Sequence, residues 1–190
     1  EMLGRIGVGT LKVIDGDVFD ESNLNRQLLS TEENLGFWKV DVAKDHIHQI
    51  NSNVKVKTVK AVYDRETADD FMKDLDILID CVDNVETRLL MEEKATEFNI
   101  PLIHGAVGAW IGQVITVLPG DFILRNIYQN GVINVPQIGT ASFLPAMVAS
   151  YQVAECIKFL AGKGELLHKK MMYFDLLENT NFVVELNNEG

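Results

Sequence analysis

The chain has 190 residues, of which 17 are Lys or Arg and 28 are Asp or Glu, so its formal net charge is −11 at pH 7. An acidic surface repels phosphate backbones, which argues against DNA or RNA as a partner and favours small molecules or proteins. The chain is 47% hydrophobic and 24% charged. This composition is typical of a folded globular protein, and the length fits one domain at roughly 150 residues per domain.

No stretch reaches the roughly 18 apolar residues of a membrane helix, and no signal-peptide pattern opens the chain, so we expect a cytoplasmic protein without a membrane partner. The two cysteines, Cys81 and Cys156, each lie in an apolar run. This placement favours buried thiols over a disulfide framework. Because the sequence has no CxxC pair, one chain cannot build a four-cysteine zinc site.

The first part of the chain alternates short strands and helices. Glu1–Ile6 is typical of a helix end, and Thr10–Asp15 is predicted to be a short buried strand. The next helix has an apolar face made of Val40, Ala43, Ile47 and Ile50, and the charged side chains that lie off this face and should face water are Lys39, Lys44 and Asp45. Val54–Thr58 alternates as a half-exposed strand does.

The same alternation continues with a short helix at Glu66–Lys73 and a central strand at Asp76–Cys81. A helix at Val85–Phe98 and a strand at Leu102–His104 follow. Strands that alternate with helices in this way imply right-handed crossovers and a mainly parallel sheet covered by helices. The predicted fold class is therefore α/β.

The last third has a different pattern. A Gly-rich turn, Gly105–Gly108, precedes an apolar strand at Gly112–Leu118. Phe122–Thr140 shows no period and is predicted to be a crossover loop, before a long helix with Pro145 in its first turn. Two strands then form an antiparallel hairpin in the C-terminal part, at Met172–Leu176 and Phe182–Leu186.

One group of polar residues directly follows the first buried strand: Asp15, Asp17, Asn23, Arg26 and Gln27. Ligands of open parallel sheets bind beyond the carboxyl ends of the strands, where Asp15 should lie. An acidic residue at that place can accept both hydroxyls of a ribose. It can equally belong to a solvated turn, and the spacing leaves both readings open.

A second group lies between a strand and a helix: Asp80, Asp83, Asn84 and Arg88. Asp83 could cap that helix, or it could hold a Mg²⁺ ion bound to phosphates, since Mg²⁺ takes one or two carboxylates plus phosphate oxygens. By its position alone, Lys39 is a solvated charge at the start of a helix. Spacing does not decide between these roles.

Taken together, these motifs and their order resemble the ThiF/MoeB/HesA family of ubiquitin-activating-enzyme-like adenylyltransferases. The resemblance covers nearly the whole chain. Besides Asp15 and Asp17, the segments that carry it are Ser22–Gln27, Gly36–Lys39, Asp80–Asn84, Thr87–Arg88, Gly105–Gly108, Gly112–Gln113, Pro119–Asp121 and Pro145–Glu155.

The resemblance implies a Rossmann-like fold and ATP-dependent adenylylation of the C-terminal glycine of a ubiquitin-like sulfur carrier of the ThiS or MoaD type, with release of pyrophosphate. Such carriers end in Gly-Gly and serve thiamin or molybdopterin biosynthesis. The resemblance also implies a homodimer. It assigns catalysis to Arg26, Lys39 and Asp83, with Asp83 holding Mg²⁺, and ATP binding to Asp15, Asp17, Asn23, Arg26, Gln27, Lys39, Asn84 and Arg88.

The sequence departs from the family in two places. The family's first strand and Gly-rich phosphate loop are missing before Glu1, which predicts one nucleotide-binding domain over residues 1–190 that is incomplete at its N-terminus; if the loop is lost, a binding role replaces catalysis. Residues 122–140 contain no cysteine. We therefore expect adenylylation without a thioester on this chain, and no zinc.

Three other functions fit parts of the pattern. One is a tRNA-modification dehydratase of the same family that works through an adenylylated small group, although the sequence has no basic patch. Another is an NAD-dependent Rossmann oxidoreductase, but no pair of residues suits hydride transfer. The third is a non-catalytic scaffold that binds the carrier, which only the missing loop supports.

Overall fold

A computed structural model describes residues 1–129 and 139–186, with only the backbone of Gln129. The chain divides into two compact units, Glu1–Phe71 and Met72–Gly190. Within the described residues, no helix combines the length and the apolar character that crossing a bilayer requires.

The first unit contains a two-stranded parallel sheet. Its strands are β1 (Thr10–Ile14) and β2 (Lys55–Val59), paired from Thr10 opposite Lys55 to Ile14 opposite Val59. The helices, of which the third ends one residue beyond this unit, are α1 (Met2–Ile6), α2 (Lys39–Ile50) and α3 (Ala68–Met72). Val40 and Ile47 of α2 are buried, which confirms the predicted apolar face.

The second unit is built around a five-stranded mixed sheet with the order β3-β4-β5-β6-β7. The first pair is parallel and the other three pairs are antiparallel. The strands are β3 (Leu78–Ile79), β4 (Leu102–Gly108), β5 (Ile111–Val117), β6 (Lys170–Asp175) and β7 (Thr180–Glu185). The helices are α4 (Val85–Glu97), α5 (Ile123–Gln129) and α6 (Phe143–Ala161).

Helix α6 packs against β4 and β5 through an apolar cluster. Ile103, Val114, Val148 and Phe174 form this cluster, and each is at most 3% exposed. Gly112 allows the close approach, because a Cβ atom at this position would lie 2.7 Å from Val148 Cγ2. The core thus ties α6 to the middle of the mixed sheet.

The α/β prediction is confirmed, with parallel strands first and antiparallel strands in the C-terminal part. The antiparallel share is larger than the sequence pattern indicated, since β4 and β5 also form a hairpin. The prediction of one domain over residues 1–190 stays a prediction. The C-terminal hairpin is confirmed as β6 and β7, with Asn179 at a φ of 54° in its turn.

Two local predictions were wrong. Gly105–Gly108 is not a turn but the second half of β4, because these residues pair with Ile111–Val114 and the turn falls on Ala109 and Trp110. The first part of Phe122–Thr140 is not a loop but α5. Its start is stabilised by the buried Glu92 carboxylate, which accepts hydrogen bonds from the N–H groups of Leu124 and Arg125. Residues 130–138 of that predicted loop lie outside the described residues.

Candidate functional site

The first unit has a pocket of about 210 Å³ beside the end of β1. Three of the predicted nucleotide-binding residues, Asp15, Gln27 and Lys39, line it together. Its other lining residues are apolar: Val13, Phe19, Leu28, Leu29, Val40 and Ala43. The pocket therefore combines an apolar wall with one carboxylate, one amide and one ammonium group.

Lys39 is much less exposed than the sequence pattern predicted. Only 16% of its side chain is accessible, because it begins α2 next to the loop that follows β1. Its Nζ lies 3.0 Å from Asp17 Oδ2, and Asp17 itself is 72% exposed. Since an ion pair with so exposed a partner contributes little to stability, a phosphate can replace Asp17 at this ammonium group at small cost.

Asp15 is half-buried and is held by the turn that it begins. Its Oδ1 accepts a hydrogen bond of 2.8 Å from the N–H of Asp17. The N–H of Asp15 donates to Val59 O on the neighbouring strand β2. The carboxylate is therefore fixed at the carboxyl end of a parallel strand pair, where α/β proteins bind their ligands.

Arg26 and Asn23 do not line the pocket. The Arg26 guanidinium donates to Ser22 O and to Asn25 Oδ1, at 2.7 and 2.9 Å. Asn23 is buried, and its Oδ1 accepts from the N–H of Asp20 in a capping box around the short 3-10 helix Glu21–Asn23. The contacts of Asn23 are thus those of a residue that shapes the loop.

In the second unit, Asp83 and Asn84 connect β3 to α4. Asp83 is exposed, and its carboxylate has no hydrogen bond or ion pair within the described part of the chain. Asn84 is the N-cap residue of α4 and accepts a hydrogen bond of 2.8 Å from the N–H of Thr87. The capping role considered for Asp83 therefore belongs to Asn84, and the Asp83 carboxylate is left to the solvent.

Arg88 holds the loop that carries Asp83. Its NH2 group donates to Val82 O at 2.7 Å. Its Nε lies 3.3 Å from Asp80 Oδ2, an ion pair without hydrogen-bond geometry. Because only 11% of the side chain is accessible, the structure assigns Arg88 contacts with the protein rather than an open position for a ligand.

A buried polar network lies behind this loop. Asp80 and His104 are 1% and 0% exposed, and Asp80 Oδ2 is 2.6 Å from His104 Nδ1. His104 Nε2 lies 3.2 Å from both Gln113 Nε2 and the Tyr128 hydroxyl. Burial, the largest cause, raises the pKa of Tyr128 above its ordinary value, which keeps this hydroxyl protonated at neutral pH.

Sequence reasoning did not identify His104, Tyr128 or Gln152 as members of this network. They could have been found as polar residues at positions where the hydrophobic pattern predicts buried side chains. His104 stands in an apolar strand, and Gln152 stands on the buried face of α6. A buried polar side chain requires hydrogen-bond partners, so such a residue predicts a network.

The cysteines differ from each other. Cys156 is buried as predicted, and burial raises the pKa of its thiol. The prediction that Cys81 is buried was wrong: β3 ends at Ile79, and Cys81 is exposed. Protein atoms that surround the sulfur, together with the charge of Asp80, nevertheless raise the pKa of the Cys81 thiol to about 11.

The described residues contain no cluster typical of a transition-metal site. Across residues 1–129 and 139–186, no group of three His, Cys, Asp or Glu side chains converges on one point. Mg²⁺ does not need such a group, because it binds one or two carboxylates and completes its shell with phosphate oxygens and water. The exposed Asp83 carboxylate fits this requirement.

The parallel strand pair, the mixed sheet and the polar residues beyond the strand ends define an α/β protein of the class that binds its ligand at the carboxyl ends of strands. Comparison with known families identifies this class more closely. The model of the ThiF family matches residues 1–189. The chain belongs to the ThiF family, which confirms the resemblance drawn from the motifs.

The chain is similar to two named enzymes along most of its length. It is 30% identical over 185 residues to the SAMP-activating enzyme E1 of Haloferax volcanii, covering 95% of this chain and 68% of that protein. It is 33% identical over 185 residues to the sulfur carrier protein ThiS adenylyltransferase of Bacillus subtilis, covering 94% of this chain and 54% of that protein.

The fold is also that of a solved structure. Escherichia coli MccB, crystallised with ATP, matches with a TM-score of 0.81 at 22% sequence identity. The match covers 98% of this chain and 59% of that one. This likeness confirms the Rossmann-like α/β architecture of the ThiF type.

Proposed function

We propose that this protein activates a ubiquitin-like sulfur carrier by adenylylating its C-terminal glycine with ATP and releasing pyrophosphate. The observation that carries the proposal is the pocket where Asp15, Gln27 and Lys39 meet an apolar wall. Membership of the ThiF family supports it. The relative from Bacillus subtilis is named for the same reaction on the carrier ThiS, and we extend that reaction to this chain.

Each part of the pocket suits one part of a nucleotide. The apolar side chains offer a surface for a purine ring, and the fixed Asp15 carboxylate can accept ribose hydroxyls. Lys39 supplies a largely buried cation for the phosphates. Gln27 can donate a hydrogen bond from its amide. Asp17, Asn23 and Arg26 belong to the loop that follows β1.

The reaction needs little from the protein beyond orientation and charge. A carrier carboxylate is already ionised at pH 7, so its oxygen can attack the α-phosphorus without a general base. The bond from the α-phosphorus to the bridging oxygen breaks, pyrophosphate leaves with those electrons, and the glycine carries an acyl-adenylate. Lys39, in the pocket, then acts by neutralising charge that develops on the phosphates. We propose that Arg26, which lies outside the pocket lining, joins it by leaving its contacts with Ser22 and Asn25.

Mg²⁺, when bound, neutralises phosphate charge and helps pyrophosphate leave. In our proposal Asp83 supplies its protein ligand, because this carboxylate is exposed and has no partner in the described residues. Asn84 and Arg88 contribute by holding the loop that carries Asp83, since Asn84 caps α4 and Arg88 donates a hydrogen bond to Val82 O. We further propose that the protein works in the cytoplasm as a homodimer, with no zinc and no nucleic acid or membrane partner.

The proposal is tested by ATP–pyrophosphate exchange with the full-length protein and ThiS- and MoaD-type carriers that end in Gly-Gly. We expect exchange that depends on one such carrier and is lost in Asp83→Ala. No exchange with any carrier contradicts the proposal. A change in nicotinamide absorbance on addition of NAD⁺ and a reduced substrate would favour the oxidoreductase instead.

A further inference from the structure

The chain is anchored on both sides of Asp83, whose carboxylate has no partner among residues 1–129 and 139–186. Before Asp83, the N–H of Val82 donates to Asp80 Oδ1 at 2.9 Å and its C=O accepts from Arg88 at 2.7 Å. After Asp83, Asn84 is fixed as the cap of α4. The carbonyl of the Val82–Asp83 peptide and the side chain of Asn84 are therefore held on either side of Asp83, although the Asp83 side chain itself is exposed.

The anchor at Val82 depends on Asp80, and Asp80 depends on His104. A carboxylate of this kind can only accept hydrogen bonds, so the 2.6 Å contact assigns the proton to His104 Nδ1. In the neutral ring with its proton on Nδ1, Nε2 is an acceptor, and it lies 3.2 Å from both Gln113 Nε2 and the Tyr128 hydroxyl. Gln152 completes the support because its Nε2 donates to Asp80 O at 2.7 Å.

Burial of the polar side chains in this network costs free energy. Asp80, His104, Gln113 and Gln152 are at most 6% exposed. Removing such groups from water destabilises the fold unless every one is paired, and an apolar core of the same shape is often as stable. Pairing is incomplete here, since the buried Arg88 Nε beside Asp80 has no hydrogen-bond partner among the described residues. A network of this kind, directly before the exposed Asp83 carboxylate, is explained better by control of that loop than by stability.

We propose that His104 is a positioning residue that, through Asp80, fixes the N–H of Val82 and thereby the path of the chain into Asp83 and the direction of its carboxylate. This inference rests on the proposed function for the role of Asp83, but the contacts that it concerns exist without any ligand. Residues that support metal-binding groups from behind affect metal affinity or activity by about 10- to 100-fold when removed.

Two substitutions of similar size separate the two ring nitrogens. In His104→Asn the amide nitrogen reaches the place of Nδ1 and can still donate to Asp80. In His104→Gln the amide lies near the place of Nε2, and the donor to Asp80 is lost. The matched control is His168→Gln, because His168 also pairs with an aspartate, Asp121, at 3.0 Å, outside this network.

The first measurement is amide hydrogen exchange at Val82, whose N–H donates to Asp80 Oδ1, in the full-length protein without nucleotide or metal. We expect Val82 exchange about tenfold faster in His104→Gln, because an Asp80 carboxylate that has lost its His104 donor holds the N–H of Val82 less firmly, by about the free energy of one hydrogen bond. Exchange should be near normal in His104→Asn and His168→Gln. Unchanged exchange in His104→Gln overturns the inference. If His104→Gln does not fold, Arg88→Lys, which loses the guanidinium NH2 that donates to Val82 O, must show the same faster exchange.

The second measurement is the Mg²⁺ dependence of carrier-stimulated pyrophosphate exchange. We expect His104→Gln to need about 10- to 100-fold more Mg²⁺ or to lose as much in kcat, with the KM for ATP nearly unchanged at saturating Mg²⁺. His104→Asn should restore most of this loss. An active wild-type protein with equal Mg²⁺ dependence in all variants overturns the inference, whereas an inactive wild-type protein overturns the proposed function and leaves the hydrogen-exchange result to decide.

Discussion

Lys39 is the residue that best distinguishes a nucleotide pocket from an ordinary surface turn. A solvated lysine would be largely exposed, but this side chain is 16% exposed and lines the pocket with Asp15. The cation is thus already partly desolvated, and its field acts on a bound phosphate with less screening than a surface charge would.

We expect Lys39→Ala to lower carrier-dependent pyrophosphate exchange by about 10²–10³-fold, because one preorganised charge is removed from the developing phosphate charge. Lys44→Ala is the control, since Lys44 lies on the same helix and is exposed away from the pocket. Equal activity in the two variants would show that the pocket does not bind the phosphates.

Cys81 is accessible but is a poor nucleophile, because its pKa of about 11 leaves little thiolate at neutral pH. We expect iodoacetamide to label it at pH 7.5 about ten- to a hundredfold more slowly than an ordinary thiol. The labelling rate should keep rising as the pH approaches 11. To measure this rate, the folded protein is labelled for set times and then digested, and the labelled peptide is quantified by mass spectrometry. A plateau of the rate near pH 9 would be incompatible with the raised pKa.

At the scale of elements, β4 and α6 pack closely at Gly105, where there is no room for a side chain. A Cβ atom on Gly105 would lie 2.4 Å from Gln152 Cδ. Gln152 in turn donates to Asp80 O and Ile103 O. The small residue in the strand therefore makes room for the amide that supports the Asp83 loop.

Gly105→Ala should lower the free energy of unfolding by about 1–3 kcal/mol, because the added methyl group must displace Gln152 from its hydrogen bonds. Gly139→Ala is a suitable comparison, since no atom of the described residues lies within 4 Å of its Cβ position. Urea denaturation of both variants gives the difference. Equal midpoints would mean that Gln152 moves aside freely.

The elements with a clear hydrophobic period were predictable from the sequence. The apolar face of α2 and the C-terminal hairpin of β6 and β7 follow from local pattern and turn residues. Gly105–Gly108 was misread because glycines are typical of turns, whereas here these residues lie in a strand and Gly105 makes room for Gln152 of α6. The start of α5 depends on Glu92, which is distant in the chain, and local periodicity cannot reveal such a contact.

The candidate site was predictable only in part for the same reason. Asp15, Gln27 and Lys39 were identified by the motif, and the structure places them at one pocket. The burial of Lys39 was not foreseen, since spacing says nothing about the loop that covers it. His104 and its partners were missed because a buried network is a property of the packed chain and not of any local pattern.

At the scale of the whole molecule, the two units carry different parts of the proposed chemistry. The first contains the pocket with Lys39, and the second contains Asp83 and its anchored loop. The net charge of −11 does not argue against an anionic substrate, since charges beyond about 8–10 Å are screened at physiological salt.

We expect the chain to form no covalent bond with the carrier. Cys81 has a raised pKa and Cys156 is buried, so neither suits a thioester. Non-reducing gels of the protein incubated with ATP and carrier should show no new band. A band that disappears with reductant would contradict this expectation.

The central claim is that the carrier's terminal glycine receives AMP from ATP. The most direct measurement is the intact mass of a Gly-Gly-ended ThiS- or MoaD-type carrier after incubation with the full-length protein, ATP and Mg²⁺, with rapid quenching in acid. The account predicts a carrier heavier by one adenylyl group, absent with Asp83→Ala and absent when the carrier lacks its last glycine. An unmodified cognate carrier, or a modification that persists without the last glycine, would contradict it.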